Sequence, residues 1–160
     1  MALSTSDIQE TGEHWLLNAP ATAAQLSQAE RELGIAWPPD LREFLLVTNG
    51  TRLPHPMMDD PAEAAMHGLE IFFGIDRQLL ETKHFRLHWL ADSEPHVPEF
   101  ANDLDKFLIV AEDGHGNYLA CSSVGRTDGQ WGLGFLDHET REFEAWEDFG
   151  VLDLLADLHW

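Results

Sequence analysis

The sequence has one cysteine, Cys121, among 160 residues. A lone cysteine excludes an intramolecular disulfide and any CxxC-type metal or redox motif. Positive charge is nearly as scarce. Lys plus Arg number 9 against 29 Asp plus Glu, a formal net charge of −20 with His neutral. The nine bases are scattered between Arg31 and Arg141 and nowhere cluster into a phosphate-binding stripe. The surplus acid would repel a polyanion, so nucleic acid and anionic membranes are poor partners. Long apolar runs are also missing, and none approaches the roughly 20 residues a membrane span needs. Residues 1–18 carry no basic segment followed by an apolar stretch, so no signal peptide is expected. These absences describe a cytoplasmic protein.

What is present suffices for a core. Hydrophobic residues make up 44% and six tryptophans are included, too apolar for a disordered acidic tail. A chain of this length buries roughly 70% of its unfolded surface, and one domain over residues 1–160 is expected. The acidity has two readings. It keeps the protein soluble, or it attracts a basic protein partner, since opposite fields raise association rates and set orientation.

The apolar pattern yields helices first and strands later. Ile8 to Leu17 could form a short helix. Thr22 with Gln25 fits a capping box, Leu26, Ala29 and Leu33 follow at helical spacing, and Gly34 is the stop. A second helix begins near Pro39, whose missing N–H costs nothing in a first turn. Leu41, Phe44, Leu45 and Thr48 give its stripe, and Asn49-Gly50 its end. Residues 51–68 read as a long loop, Leu69 to Phe73 as a strand, and Asp76 to Leu90 as a helix patterned on Leu79, Leu80, Lys83, Leu87 and Leu90. Residues 91–102 form a second polar loop. Phe107 to Ala111 and Asn117 to Ser123 read as a hairpin around Asp113-Gly114-His115-Gly116. Trp131 to Leu136 and Glu142 to Trp146 make another around Asp137-His138-Glu139-Thr140. Asp148 is placed to cap a last helix striped by Val151, Leu155 and Leu158. This order predicts an α+β fold with an antiparallel sheet of about four to six strands flanked by helices.

Two stretches carry a family resemblance. Leu33-Gly34-Ile35-Ala36-Trp37-Pro38-Pro39-Asp40-Leu41-Arg42-Glu43-Phe44-Leu45, ending in Thr48-Asn49-Gly50, resembles the helix, "LP-x-D/E-aromatic-x-x-F-L" and "N-G-G" stop of the SUKH superfamily, the Smi/Knr-like proteins. Ile109 to Asn117 resembles that family's central hairpin, "I-A-x-D-G-x-G-N/D". The "x-H-E" hairpin and a C-terminal helix with Phe149 also fit. The match runs over about residues 22–158, leaving 1–21 as an N-terminal extension. Trp37 stands at the usual Leu position, Thr51 replaces the second Gly, and residues 51–68 and 91–102 look like enlarged loops. The resemblance implies a non-enzymatic, protein-binding module. Many bacterial members are immunity proteins that neutralise a cognate toxin, often a nuclease, and fungal members are regulatory scaffolds. No catalytic residue, cofactor or metal is implied. Trp37, Leu41, Phe44 and Leu45 are expected in the core, with Gly34, Gly50, Gly114 and Gly116 as stops and turns.

The acidic C-terminal third supplies the candidate site. Asp137, Glu139, Glu142, Glu144, Trp146 and Glu147 are the candidate partner-binding residues, for a basic partner such as a toxin domain. In a strand, Glu142, Glu144 and Trp146 share one face and Phe143 and Ala145 the other. Trp146 is either an exposed anchor or packs under the last helix. His84 and His88, four apart on a helix, could hold a metal and serve a metal-dependent enzyme, but spacing supplies no third ligand. Ser122 and Ser123 lack a nucleophile elbow, and Gly132 and Gly134 are not followed by a helix, which argues against a dinucleotide loop. The tryptophans are core and rim, or they line a ligand groove.

Overall fold

Thr22 opens the first helix, α1 (Ala23–Leu33), as its spacing predicts. The Gln25 amide donates to Thr22 Oγ1 at 3.2 Å and the Thr22 amide to Gln25 Oε1 at 2.8 Å, completing the capping box. Gly34 ends the helix at φ 74°, the left-handed conformation that glycine adopts without strain. The computed structural model describes residues 16–52, 71–90 and 98–157. Most of the expected loops over 51–68 and 91–102 therefore lies outside the described residues. α2 (Pro39–Val47) starts on its proline and buries Leu41, Phe44 and Leu45. Trp37, in the turn before it, is 2% exposed and joins the same core.

The sheet has seven strands among the described residues, in sequence order and antiparallel throughout. Three are two-residue pairings: β1 (Leu16–Leu17), β2 (Thr51–Arg52) and β3 (Ile71–Phe72). The other four, β4 (Phe107–Glu112), β5 (Tyr118–Ser122), β6 (Gly132–Leu136) and β7 (Phe143–Ala145), form the predicted meander. The α+β expectation holds, and the short pairings carry the strand number past the expected four to six. Leu16–Leu17 pairs with Thr51–Arg52 as a strand, so the helix expected to run to Leu17 does not reach it. Its earlier part lies outside the described residues. Residues 18–21 are docked on α2's end, with the Asn49 amide bonded to the Ala19 carbonyl and the Ala21 amide to that of Leu45.

β4 reads as a continuous apolar run because it is covered on both faces. Leu108 and Val110 enter a cluster with α1, α2 and α4 (Val151–Asp157). Phe107 and Ile109 enter a second cluster with Phe85 and Trp89, at the far end of α3 (Ile75–His88) and just beyond it, and with Phe100. A register shift between Ile109 and Ala111 interrupts the alternation, and there the Ile109 amide turns to Thr82 Oγ1 at 2.9 Å.

The expected face of α3 holds only in part: Leu79 and Leu90 are half-buried against the core, but the rest of the pattern turns outward. Leu80 and Leu87 are 60% and 74% exposed, and Lys83 lies outside, paired with Glu32. The buried positions are Ile75, Gln78, Glu81, Thr82 and Phe85. The polar side chains there are bonded, except that the Gln78 Oε1 has no hydrogen-bond partner among the described residues. Gln78 Nε2 donates to the Phe73 carbonyl at 2.8 Å, and Glu81 accepts from Tyr118 at 3.1 Å and pairs with Arg77 at 2.6 Å.

The last helix also differs from expectation. Asp148 does not cap it. Asp148 has φ 50°, and the first amides of α4 are taken by other carboxylates. Gly150 N–H donates to Asp153 Oδ2 at 2.8 Å and Val151 N–H to Asp40 Oδ2 at 2.6 Å. Asn49 plays the same part for α3, its Oδ1 accepting from Ile75 N–H at 2.8 Å. Gly50, at φ 87°, lets this crossing close. A Cβ there would stand 2.5 Å from the Gly74 nitrogen and 2.9 Å from the Phe72 oxygen. Among the described residues, no helix is long and apolar enough to cross a membrane.

Candidate functional site

The acidic hairpin ends the sheet, with β7 as its outermost strand. Its turn is built by Asp137. Oδ1 accepts from the amides of Glu139 at 2.7 Å and Thr140 at 3.0 Å. The Thr140 bond and then the Glu139 bond hold this carboxyl below its ordinary range, over the opposing effect of partial burial. Asp137 is thus committed to the turn rather than offered to a partner. Glu139 is exposed at the tip, and Glu142, Glu144 and Glu147 are exposed along and just past β7. Trp146 is half-buried against the cluster shared with α4, its ring 5.7 Å from Phe149. It lies under the start of the last helix, the second of its two expected placements.

On the other face of β7 the chain forms a groove of about 690 Å³. Phe143 and Ala145 provide one wall and Val124 and Gly125 the next. The opposite wall is the 98–103 segment, two successive turns closed by Ala101 N–H to the Pro98 carbonyl at 3.0 Å and Asp103 N–H to the Phe100 carbonyl at 2.8 Å. Its floor is aromatic because Phe143 meets Phe107 at 4.9 Å and Phe100 at 6.4 Å between ring centroids, both edge-to-face. Phe143 has room there because Gly134, across on β6, carries no side chain in its way. Glu99, Asp103 and Glu142 stand around the groove. Asp103 is paired with Lys106 at 2.7 Å. A smaller recess of about 140 Å³ continues past Ala145, lined by Asp128, Glu147, Asp148 and Arg126. The fold therefore brings Glu142 and Glu147 to one open edge with acids that sequence reasoning did not join to them. Glu99, Asp103 and Asp128 come from distant loops, and no spacing links them to β7. Asp137 and Glu139 sit at the far end of the hairpin.

Other candidate chemistry separates from this edge. His84 and His88 lie with rings 4.6 Å apart on the exposed side of α3. Among the described residues, no group of three His, Cys, Asp or Glu is placed to hold a metal. The two histidines border a recess of about 340 Å³ with His138 and Arg141. His138 is fixed by Asn117, whose Oδ1 lies 2.7 Å from its ring nitrogen, and Arg141 lies over the Trp89 ring at 4.9 Å. Cys121 is buried, and burial first, then the charge of Asp40, pushes its thiol well above the ordinary value, the opposite of an activated nucleophile. Ser122 Oγ donates to the Lys106 carbonyl at 2.7 Å. Tyr118 is pushed up to about 12 by burial and the neighbouring Glu81.

Comparison with curated proteins finds no match to this sequence. Comparison with protein families finds one over residues 20–152, which takes in α1 to α3 and the whole sheet from β2 to β7 and stops just inside α4. With the motif order of α1, α2 and the central hairpin in place and more than half of the chain matched, this protein belongs to the SMI1 / KNR4 family (SUKH-1).

Proposed function

We propose that this protein is a non-enzymatic binding module of the SUKH type, an immunity protein that covers a basic toxin. The observation that carries the reading is the groove beside β7, aromatic in its floor and acidic around its rim. A toxin that acts on nucleic acid must present cations to phosphates. An acidic edge on a chain of net charge −20 matches such a surface, steering the encounter before the apolar floor takes up an anchor. Blocking the toxin's substrate surface then needs no bond-making by this chain.

The experiment is co-expression with the product of the neighbouring gene, followed by stopped-flow association of the purified pair. Protection of cells is expected, with an association rate that falls steeply with added salt. Glu142→Lys with Glu144→Lys is expected to slow association by about tenfold. No protection, or a rate indifferent to both salt and charge reversal, would overturn the reading. A regulatory scaffold is the second reading. The outward Leu80 and Leu87 on α3 favour it, since they supply a separate apolar surface remote in character from the acidic edge.

A further inference from the structure

β7 is the last strand of the sheet, and its hydrogen-bond parity can be read from its neighbours. The Asp137 amide donates to the Glu142 carbonyl and the Trp146 amide to the Leu133 carbonyl. Phe135 lies opposite Glu144 between them. In an antiparallel ladder the bonded residues alternate, so 142, 144 and 146 face β6. The N–H and C=O groups of Phe143 and Ala145 therefore point away from the sheet, and no described strand pairs with them. Proteins blunt such an edge with shortness, charge, proline, a bulge or a covering element. β7 uses the first two, being three residues long and carrying Glu144, which bars like-charged strands rather than a cationic one. β7 has no proline, and its pairing with β6 runs without a register shift.

We infer that this edge takes an extended basic segment of the partner as an added strand, its main chain bonded to Phe143 and Ala145 and alternate side chains reaching the groove. This rests on the reading of the acidic edge as the partner site. Charge selects the occupant. A second copy of this chain would set Glu142 and Glu144 against themselves, whereas a cationic strand neutralises them. Side chains of an added strand alternate between faces with a period of two. One set lies over the Phe100–Phe143 floor and suits aliphatic residues or the stems of Arg and Lys. The other set lies on the face of Glu144. The fitting sequence thus alternates basic and apolar residues, and main-chain bonding supplies affinity while the groove supplies selectivity.

The test uses the full-length ¹⁵N-labelled protein and two blocked heptapeptides. One alternates Arg and Val; the other has its central Val replaced by Pro at equal charge. The alternating peptide is expected to slow amide exchange at Phe143 and Ala145 by about tenfold or more, and the proline peptide to leave it unchanged. Ala145→Pro removes an outward donor and leaves every carboxylate in place. It is expected to weaken the alternating peptide by about tenfold. Equal binding of both peptides with no protection at Phe143 and Ala145 would overturn strand addition while leaving the acidic edge in force. Failure of both peptides to bind would overturn strand addition, and if Glu142→Lys and Glu144→Lys also leave the toxin complex unaffected, the reading of the acidic edge falls with it. Should Ala145→Pro lose its fold, the exchange pattern of the unsubstituted protein decides alone.

Discussion

The carboxylate of Asp40, at the start of α2, accepts the backbone amide of Val151, at the start of α4, at 2.6 Å across 111 positions of sequence. Asp40 Oδ1 also accepts its neighbour Leu41's amide at 2.8 Å. One side chain therefore holds two helix starts. It ties the first helical pair to the segment that follows β7, and Trp146 and Phe149 pack beside that junction. The acidic edge is thus anchored to the core where β7 ends. Gly150 makes the approach possible, since Asp40 Oδ2 occupies the space where its Cβ would stand.

Asp40→Ala is expected to destabilise the protein by about 1–2 kcal/mol, the loss of a helix cap. Asp40→Asn, which keeps an acceptor, should cost less. Urea denaturation measures both. Amide exchange should show the loss concentrated in α4, and equal loss across the whole sheet would argue against the capping role.

The Asp137 turn carries a pH signature. Its folded carboxyl is held below the ordinary value of 3.8, chiefly by the Thr140 amide. A depressed carboxyl contributes stability above its unfolded pKa, and that contribution disappears as pH falls through the lower folded value. The stability difference between the unsubstituted protein and Asp137→Ala should therefore be constant from neutral pH to about 5 and shrink below about 4. Urea midpoints across that range test it. A difference that grows on acidification would contradict the assignment.

The partly inverted face of α3 predicts an inverted mutational pattern. Leu87→Gln, at 74% exposure, should change stability by no more than about 0.5 kcal/mol. Thr82→Val keeps shape but strands the Ile109 amide inside the core, and should cost about 1–3 kcal/mol. Thermal or urea unfolding ranks the two variants. The ranking follows burial and partnering, and the opposite order would restore the leucine face.

Periodicity was a sound guide wherever apolar residues alone decided the face. α1, α2 and the meander from β4 to β7 stand where Leu26, Ala29, Leu33, Phe44 and the Phe107–Ala111 run put them. α3 defeated it in part because three of its buried positions, Gln78, Glu81 and Thr82, are polar and bonded to other groups, so Leu80 and Leu87 face out while Leu79 still packs on the core. The candidate edge was legible in half. Glu142, Glu144 and Glu147 could be read from one short acidic stretch. Glu99, Asp103, Phe100 and Val124 could not, because the wall they form exists only once the 98–103 turns lie against the sheet.

The sequence by itself determined the family, the α+β order, the helix stops and the excess of negative charge. These follow from local rules: a cap beside its helix, a glycine where φ is positive, alternation along a strand. Tertiary structure alone decided that Asp40 and Asn49 cap helices other than their own, that Asp137 is committed to its turn, and that the edge of β7 opens on a groove. Each depends on which groups meet across the sheet, and the main-chain and carboxylate bonds that settle it join residues whose separation in sequence carries no periodic signal.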